Sequence, residues 1–294
     1  MESLVSAGAR VTVADSLVTG RPEHLAAVEP RIRLVTLPVL RALESHALDV
    51  GEFDLIFHVA ANAYIPPSVE DPAMDYELNL HTTFTLLEAI RRSGSRVRLV
   101  NFSTAGVYGD PVRLPIREDD LTVPISPYGV SKLAGERYLA VYCKLYGLRG
   151  TSLRLFSVYG PRQKKQVVYD LLRKVRMNTG SVEVIGDGTQ ERDMVYVKDV
   201  VQAALLAASV APGQGEVYNV ASGETHSISE IVAALCRTCG AAPEIRYTGS
   251  VRPGDAQKWS VDLSRLKSLG YVPRTSLAEG LEAVRKWYDE SDEK

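Results

Sequence analysis

Two residues four apart, Tyr128 and Lys132, carry the chemistry that this sequence offers most openly. They lie in YGVSKLAGERYLAVYCKLYG (128–147), which has a helical pattern, so both side chains leave the same face. A phenol ionises near pH ~10 in water. A neighbouring ammonium favours the phenolate and lowers that value. A phenol so tuned can take or return a hydroxyl proton near neutral pH. Tyr and Lys at this spacing are common on helices, and the pair alone is weak evidence. The preceding segment strengthens it. VRLVNF runs as a strand into Ser103-Thr104, which puts Thr104 at the carboxyl end of a strand, where ligands bind in parallel sheets. Its hydroxyl can hold a substrate oxygen and help to move the proton. Turn capping is the plain alternative for Ser103 and Thr104; it weakens because Tyr128 follows one loop later, on the helix after the same strand.

The elements that must position these groups alternate. VTVAD (11–15) predicts a strand, and FDLIFHVAA (53–61) another, apolar almost throughout as a strand buried on both faces should be. NLHTTFTLLEAIRRSG (79–94) predicts a helix with Leu80, Phe84, Leu87 and Ile90 on one face and Gly94 as its C-cap. VRLVNFS (97–103) is a strand, 128–147 a helix ending at Gly147, and GTSLRLFSVYG (150–160) the next strand. Strand, helix, strand, helix implies parallel strands with crossover helices, an α/β doubly wound sheet. The second half predicts helices at 167–177, in VKDVVQAALLAA, in ISEIVAALCRTCG and in SLAEGLEAVRKWYDE, with strands at VEVIGDG and EVYNVASG. These later segments form a smaller cap over the carboxyl edge of the sheet.

The 294 residues are 45% hydrophobic, enough to bury a full core, and the formal net charge is −2. No basic stripe appears, so nucleic acid is not an expected partner. Arg162, Lys164 and Lys165 form the longest basic cluster, a solvated loop. No apolar run is long enough for a bilayer and the first residues lack a secretory pattern, so a cytoplasmic protein is expected. Three cysteines make no disulfide framework. Cys236 and Cys239 form a C-x-x-C without a second pair or a nearby His, so packing is expected of them, and no metal.

FHVAANAYIPPSVEDP, NLHTTFTLLEA, NFSTAGVYGDP, SPYGVSKLAGE, RLFSVYGPRQ, GDGTQERDMVYVKDVV and VYNVASGETHSISEI follow one another in a familiar order. RPGD at 252–255 and SLGYVPRTSLAEGL close the series. Together they resemble the extended short-chain dehydrogenase/reductase family, specifically its NAD-dependent nucleotide-sugar epimerases and dehydratases, over essentially the whole chain. The resemblance implies a Rossmann-like NAD-binding domain over 1–158 and 194–222, with a nucleotide-sugar-binding cap over 159–193 and 223–294. It makes Thr104, Tyr128 and Lys132 the catalytic set, with Lys132 also holding the nicotinamide ribose. It sets Asp15 on the adenosine ribose, favouring NAD over NADP, with Val39 against the adenine. Ala60, Ala61, Asn62 and Ser103 lie along the cofactor. Asn79, Ser157, Arg192, Arg252 and Asp255 face the substrate, the two arginines on its diphosphate. Asn79 also suits a helix N-cap, and both roles can hold. A UDP-sugar substrate and a homodimer through the helices of 79–94 and 128–147 are expected.

Departures from the family pattern matter as much. The family opens with a strand and a Gly-rich turn that cradles the pyrophosphate; here the match begins at the first helix, and Met1 falls inside it. The missing strand is central, so its two neighbours should lack a shared partner. The expectation is that the native protein is longer and this chain starts at an internal Met; the rival is a chain complete as written and crippled in cofactor binding. Pro38 replaces an Asp usual near the adenine, and Ser157 an Asn usual at the substrate. Ala105-Gly106 follow Thr104 where the family's dehydratases carry an acidic pair, which favours an epimerase of the UDP-glucose or UDP-uronate 4-epimerase kind. A dehydratase or decarboxylase on the same scaffold, and a non-catalytic nucleotide-sugar-binding protein, stay open.

Overall fold

Apolar residues on both faces of the strands at 98–104 and 149–155 require helices on both sides of the sheet, and that is the arrangement found. The structure, a computed structural model, describes residues 1–177, 180–250 and 258–291. Its strands are β1 (Val11–Ala14), β2 (Ile32–Val35), β3 (Leu55–His58), β4 (Arg98–Thr104), β5 (Arg149–Leu155), β6 (Ser157–Tyr159), β7 (Ser181–Val184), β8 (Glu191–Tyr196), β9 (Gln214–Val220), β10 (Thr225–Ser227) and β11 (Glu244–Tyr247). The helices are α1 (Glu2–Ser6), α2 (Val39–Glu44), α3 (Ile65–Glu70), α4 (Pro72–Asp75), α5 (Thr82–Ser93), α6 (Pro127–Tyr146), α7 (Gln166–Met177), α8 (Val197–Ser209), α9 (Ile228–Cys239), α10 (Ser264–Lys267) and α11 (Leu277–Glu290). None of the described helices is long and apolar enough to cross a membrane.

The central sheet has the parallel order β3-β4-β5-β9. Alternate residues of β4 serve its two faces. Leu99 joins Leu86, Leu87, Ile90 and Leu139 of α5 and α6, while Val100 joins Val200, Ala203 and Ala207 of α8. Gly94 and Gly147 end α5 and α6 in the left-handed conformation, as predicted. A further buried cluster packs α7, α9 and α11 on β7 and β8, beside the sheets β10-β8-β6 and β11-β7.

Several predicted boundaries shift. The single strand expected over 150–160 breaks at Phe156: β5 stays in the central sheet while β6 pairs with β8. β3 covers only 55–58 of the 53–61 expected, and three of its four residues are only partly buried. Among the described residues no strand pairs with its other edge; β1 and β2 pair with each other in a separate parallel sheet. On α5 the buried residues are Thr82, Thr83, Leu86, Leu87 and Ile90, whereas Phe84 is exposed and packs edge-on against Tyr138. Thr83 takes the inner position because its hydroxyl is bonded there, donating to the Asn79 carbonyl at 2.6 Å.

One buried ion pair fastens α6 to the sheet. Arg154 of β5 meets Glu136 of α6 at 2.7 Å, both side chains 2% exposed. Burial opposes the guanidinium charge, but hydrogen bonds to Glu136 raise its pKa overall. Arg154 also donates to the Tyr108 hydroxyl and the Glu118 carbonyl, and Ser103 donates to Glu136. Removing one charge leaves the other buried and uncompensated. Glu136→Gln is therefore expected to cost on the order of 3–5 kcal/mol of stability, read by urea denaturation; a loss below about 1 kcal/mol, the range of an exposed pair, would contradict this account.

Candidate active site

Tyr128 is the second residue of α6, and the start of that helix is fixed from three sides. Ser126 caps it by accepting from the Gly129 amide at 3.2 Å, and Pro127 occupies the first turn. The buried Ser68 accepts from the Tyr128 amide at 3.2 Å. A side chain at Gly129 would bring its Cβ to 2.7 Å from the Gly106 carbonyl oxygen, so the helix start lies directly on the turn after Thr104. That close approach brings Thr104 and Tyr128 together. The Thr104 oxygen accepts from the Gly106 amide at 3.1 Å, which leaves its hydroxyl proton for Tyr128.

Burial pushes the Tyr128 phenol up to about 12 against the pull of the Thr104 hydrogen bond, and the charge of Asp75 adds to the rise. The Lys132 ammonium was expected to lower it. The sign is reversed because the phenol is desolvated and Lys132 donates to the Phe102 carbonyl, at 2.9 Å, not to the phenol. Lys132 is itself lowered to about 8 by burial, with Asp75 and Glu136 opposing the fall.

Around this pair lies a polar network that the sequence pattern did not reveal. Residues Tyr76–His81 form a π-helical turn, a feature frequent at functional sites. Asn79, within it, is 1% exposed and donates to Asp75 at 2.7 Å; Asn62 donates to the same oxygen at 2.9 Å. The Thr83 hydroxyl spends its one proton on the Asn79 carbonyl, so in its 2.9 Å contact with His58 the imidazole Nε2 must be the donor. Burial, then the Lys132 charge, lowers His58 to about 3 and keeps it neutral. The i, i+4 spacing of Asp75 and Asn79 was the available signal; His58 and Thr83 gave none, lying in segments that read as apolar.

The remaining candidates fall into separate places. Asp15 directly follows β1 and accepts from the Leu17 amide at 2.8 Å, and Val39 begins α2 after β2. Ala60, Ala61 and Asn62 follow β3, Ala60 exposed and the other two partly buried. The Ser103 hydroxyl is buried and committed to Glu136, so it fastens the strand end to α6. Ser157 opens β6 opposite Met194 of β8, two residues beyond Arg192; Arg192 donates to the Glu191 carbonyl at 2.8 Å. Arg252 and Asp255 lie outside the described residues.

Helices on both faces of a parallel sheet define a doubly wound α/β protein, and the polar groups gather beyond its strand ends, where sheets of this kind bind ligands. The chain belongs to the NAD dependent epimerase/dehydratase family, whose model matches residues 1–221. It is 34% identical to the UDP-glucose 4-epimerase of Mycolicibacterium smegmatis, over 96% of this chain and 91% of that one. It is 32% identical to a dTDP-glucose 4,6-dehydratase of Streptomyces griseus, over 95% and 85%. The structure of a UDP-glucuronic acid 4-epimerase from Bacillus cereus, in complex with UDP-glucuronic acid and NAD, superposes with a TM-score of 0.90 at 28% identity, covering 98% of this chain and 94% of that one.

The neutral His58 sets a pH dependence. Its pKa is near 6.5 unfolded and about 3 folded, so between these values the unfolded chain binds more protons and stability falls as pH drops. His58→Gln removes this contribution. Below pH 6.5 its unfolding free energy should decline less steeply than that of the wild type, by about 1.4 kcal/mol per pH unit. Parallel slopes in urea denaturation across that range would show that His58 is not buried neutral.

Proposed function

We propose that this protein is an NAD-dependent 4-epimerase of a UDP-sugar, with Thr104, Tyr128 and Lys132 as its catalytic set. The observation that carries the reading is the packing of Gly129 on Gly106, which joins a strand-end hydroxyl to a phenol beside a buried ammonium. The similar UDP-glucose and UDP-glucuronic acid 4-epimerases support the substrate class.

The residues present suit NAD at its two ribose ends. Asp15 offers a carboxylate whose described contact is the Leu17 amide, and the turn that follows folds back until a Cβ at Gly20 would lie 2.8 Å from its Oδ2. Ala60, Ala61 and Asn62 would line the middle, and Lys132 would hold the second ribose. Among the described residues no strand pairs with both β1 and β3, so none there brings backbone amides to a pyrophosphate. NAD, when bound, supplies a hydride acceptor and a positive charge. Positive charge near Tyr128 lowers its pKa toward neutrality, offsetting the effect of burial. Tyr128 as phenolate then takes the proton of the sugar hydroxyl, with Thr104 holding that oxygen, and the carbon that loses its hydride becomes a carbonyl. Inversion at that carbon would need hydride delivered to its opposite face, the chemistry that bound NAD would supply, and Tyr128 would give the proton back to the oxygen. Arg192, Ser157, Asn79 and, outside the described residues, Arg252 and Asp255 would hold the nucleotide-sugar. Ala105 and Gly106 provide no acid to expel a hydroxyl, which favours epimerisation over dehydration.

We further propose a cytoplasmic homodimer. Free cysteines suit a reducing compartment. Tyr138, Val141, Leu145 and Tyr146 leave an exposed apolar face on α6 beside Phe84 of α5, the kind of patch that marks an interface. Leu145→Glu should convert the dimer to a monomer in sedimentation; an unchanged dimer would place the interface elsewhere.

Tyr128→Phe should lower epimerisation of UDP-glucose by roughly 10²–10⁴-fold while calorimetry still shows UDP-glucose and NAD binding. A variant within a few-fold of wild type would remove Tyr128 from the mechanism. A wild-type chain that binds UDP-glucose but not NAD would favour a binding protein instead.

A further inference from the structure

Asp75 is a fully buried carboxylate at the end of α4, and its hydrogen bonding is one-sided. Oδ1 accepts from both Asn62 and Asn79, while Oδ2 is buried without a hydrogen-bond partner. Other buried carboxylates are satisfied differently. Asp193 accepts from the Ser222 and Gly223 amides, Asp199 from those of Arg274 and Thr275, and Glu136 is paired with Arg154. A buried carboxylate oxygen left without a donor is costly, unless a cation answers its charge.

Lys132 is the buried cation on α6, the helix against which α4 packs. Its ammonium has three protons to donate, and the one hydrogen bond described for it goes to Phe102. Asp75 acts on Lys132 and on Tyr128 through space. The other groups around them are accounted for. Glu136, one turn along α6, is committed to Arg154. His58 of β3 is neutral. Glu77 and His81 of the π-helical turn pair with each other at the surface.

We propose that Asp75 is a positioning residue of the reaction, the counter-charge that keeps Lys132 an ammonium in a buried site. The proton-transfer unit is then Asp75, Lys132 and Tyr128, with Asn62 and Asn79 fixing the carboxylate. This rests on the reading of Tyr128 and Lys132 as the working pair. Asp75 has opposite effects on the reaction: it holds the charge that Lys132 needs, and it resists ionisation of Tyr128. Neutralising it should move both the Lys132 and the Tyr128 midpoints to lower pH, whereas a purely structural role would move neither.

The test is Asp75→Asn, followed by NMR of protein labelled at lysine Cε with 13C, with the Lys132 signal assigned through Lys132→Met. The wild-type midpoint lies near 8, and Asp75→Asn should lower it by on the order of one pH unit. Both limbs of the kcat profile should shift in the same direction. Asn62→Ala, which breaks one hydrogen bond to Asp75 and keeps its charge, should leave the Lys132 midpoint in place. An unmoved midpoint in Asp75→Asn, or an equal movement in Asn62→Ala, overturns the proposal. If Asp75→Asn folds poorly, combining it with Lys132→Met should recover part of the loss in urea denaturation; purely additive losses would overturn it. The NMR midpoint and the denaturation readouts require no turnover, so failure there is distinct from failure of Tyr128→Phe.

Discussion

The geometry of the site depends on the Arg154–Glu136 ion pair. Glu136 lies one helical turn beyond Lys132 on α6, so fixing one fixes the rotation of the helix that presents the other. The pair gathers groups from across the sheet: Ser103 at the end of β4, and Tyr108, which in turn donates to Asn219 of β9. Glu118 closes the circuit by accepting from the Asn219 amide. Buried ion pairs add little net stability compared with an apolar core. What this one supplies is a single allowed seating of α6 on the strand ends, which the Thr104–Tyr128 contact requires.

Burial shapes the chemistry in two opposed ways. It excludes water, which strengthens every charge interaction in the site, and it raises the cost of ionising Tyr128 and of keeping Lys132 charged. A Tyr–Lys pair four residues apart is therefore not in itself an activated base. Its proton affinity is set by the charges nearby, negative from Asp75 and positive from whatever cation binds.

The alternation of strands and helices was legible because β4, β5 and α6 obey local periodicity, and because Gly94 and Gly147 mark helix ends. The catalytic candidates were legible for the same reason: Thr104, Tyr128 and Lys132 fall at an element's end or on one helical face. Phe84 departs from its apolar pattern because side-chain apolarity does not by itself bring burial, while Thr83 is buried through hydrogen bonds that apolarity does not record. The break at Phe156 was hidden because β5 and β6 are both apolar and nearly continuous. His58 acquires its meaning only from residues distant in sequence, which no spacing rule could supply, and the spacing of Asp75 and Asn79 does not reveal Asn62 as a second donor. The sign of the Tyr128 shift was missed because proximity in sequence was read as contact, and Lys132 points its ammonium at a backbone carbonyl.

Among the described residues the two parallel sheets, β1-β2 and β3-β4-β5-β9, share no strand hydrogen bonds. Their helices meet where α2 packs against α5, and Arg162, after β6 of the neighbouring sheet, bonds Glu2 and the His24 carbonyl ahead of β2. Asp15 stands on one sheet, and Tyr128 and Lys132 stand beyond the other. A dinucleotide held at both ends would therefore act as a tie-rod between them. Affinity and mechanical integrity then become one thermodynamic quantity. A ligand at a hundred times its Kd adds about 2.7 kcal/mol to the folded state, and here that increment would fall on the seam between the sheets.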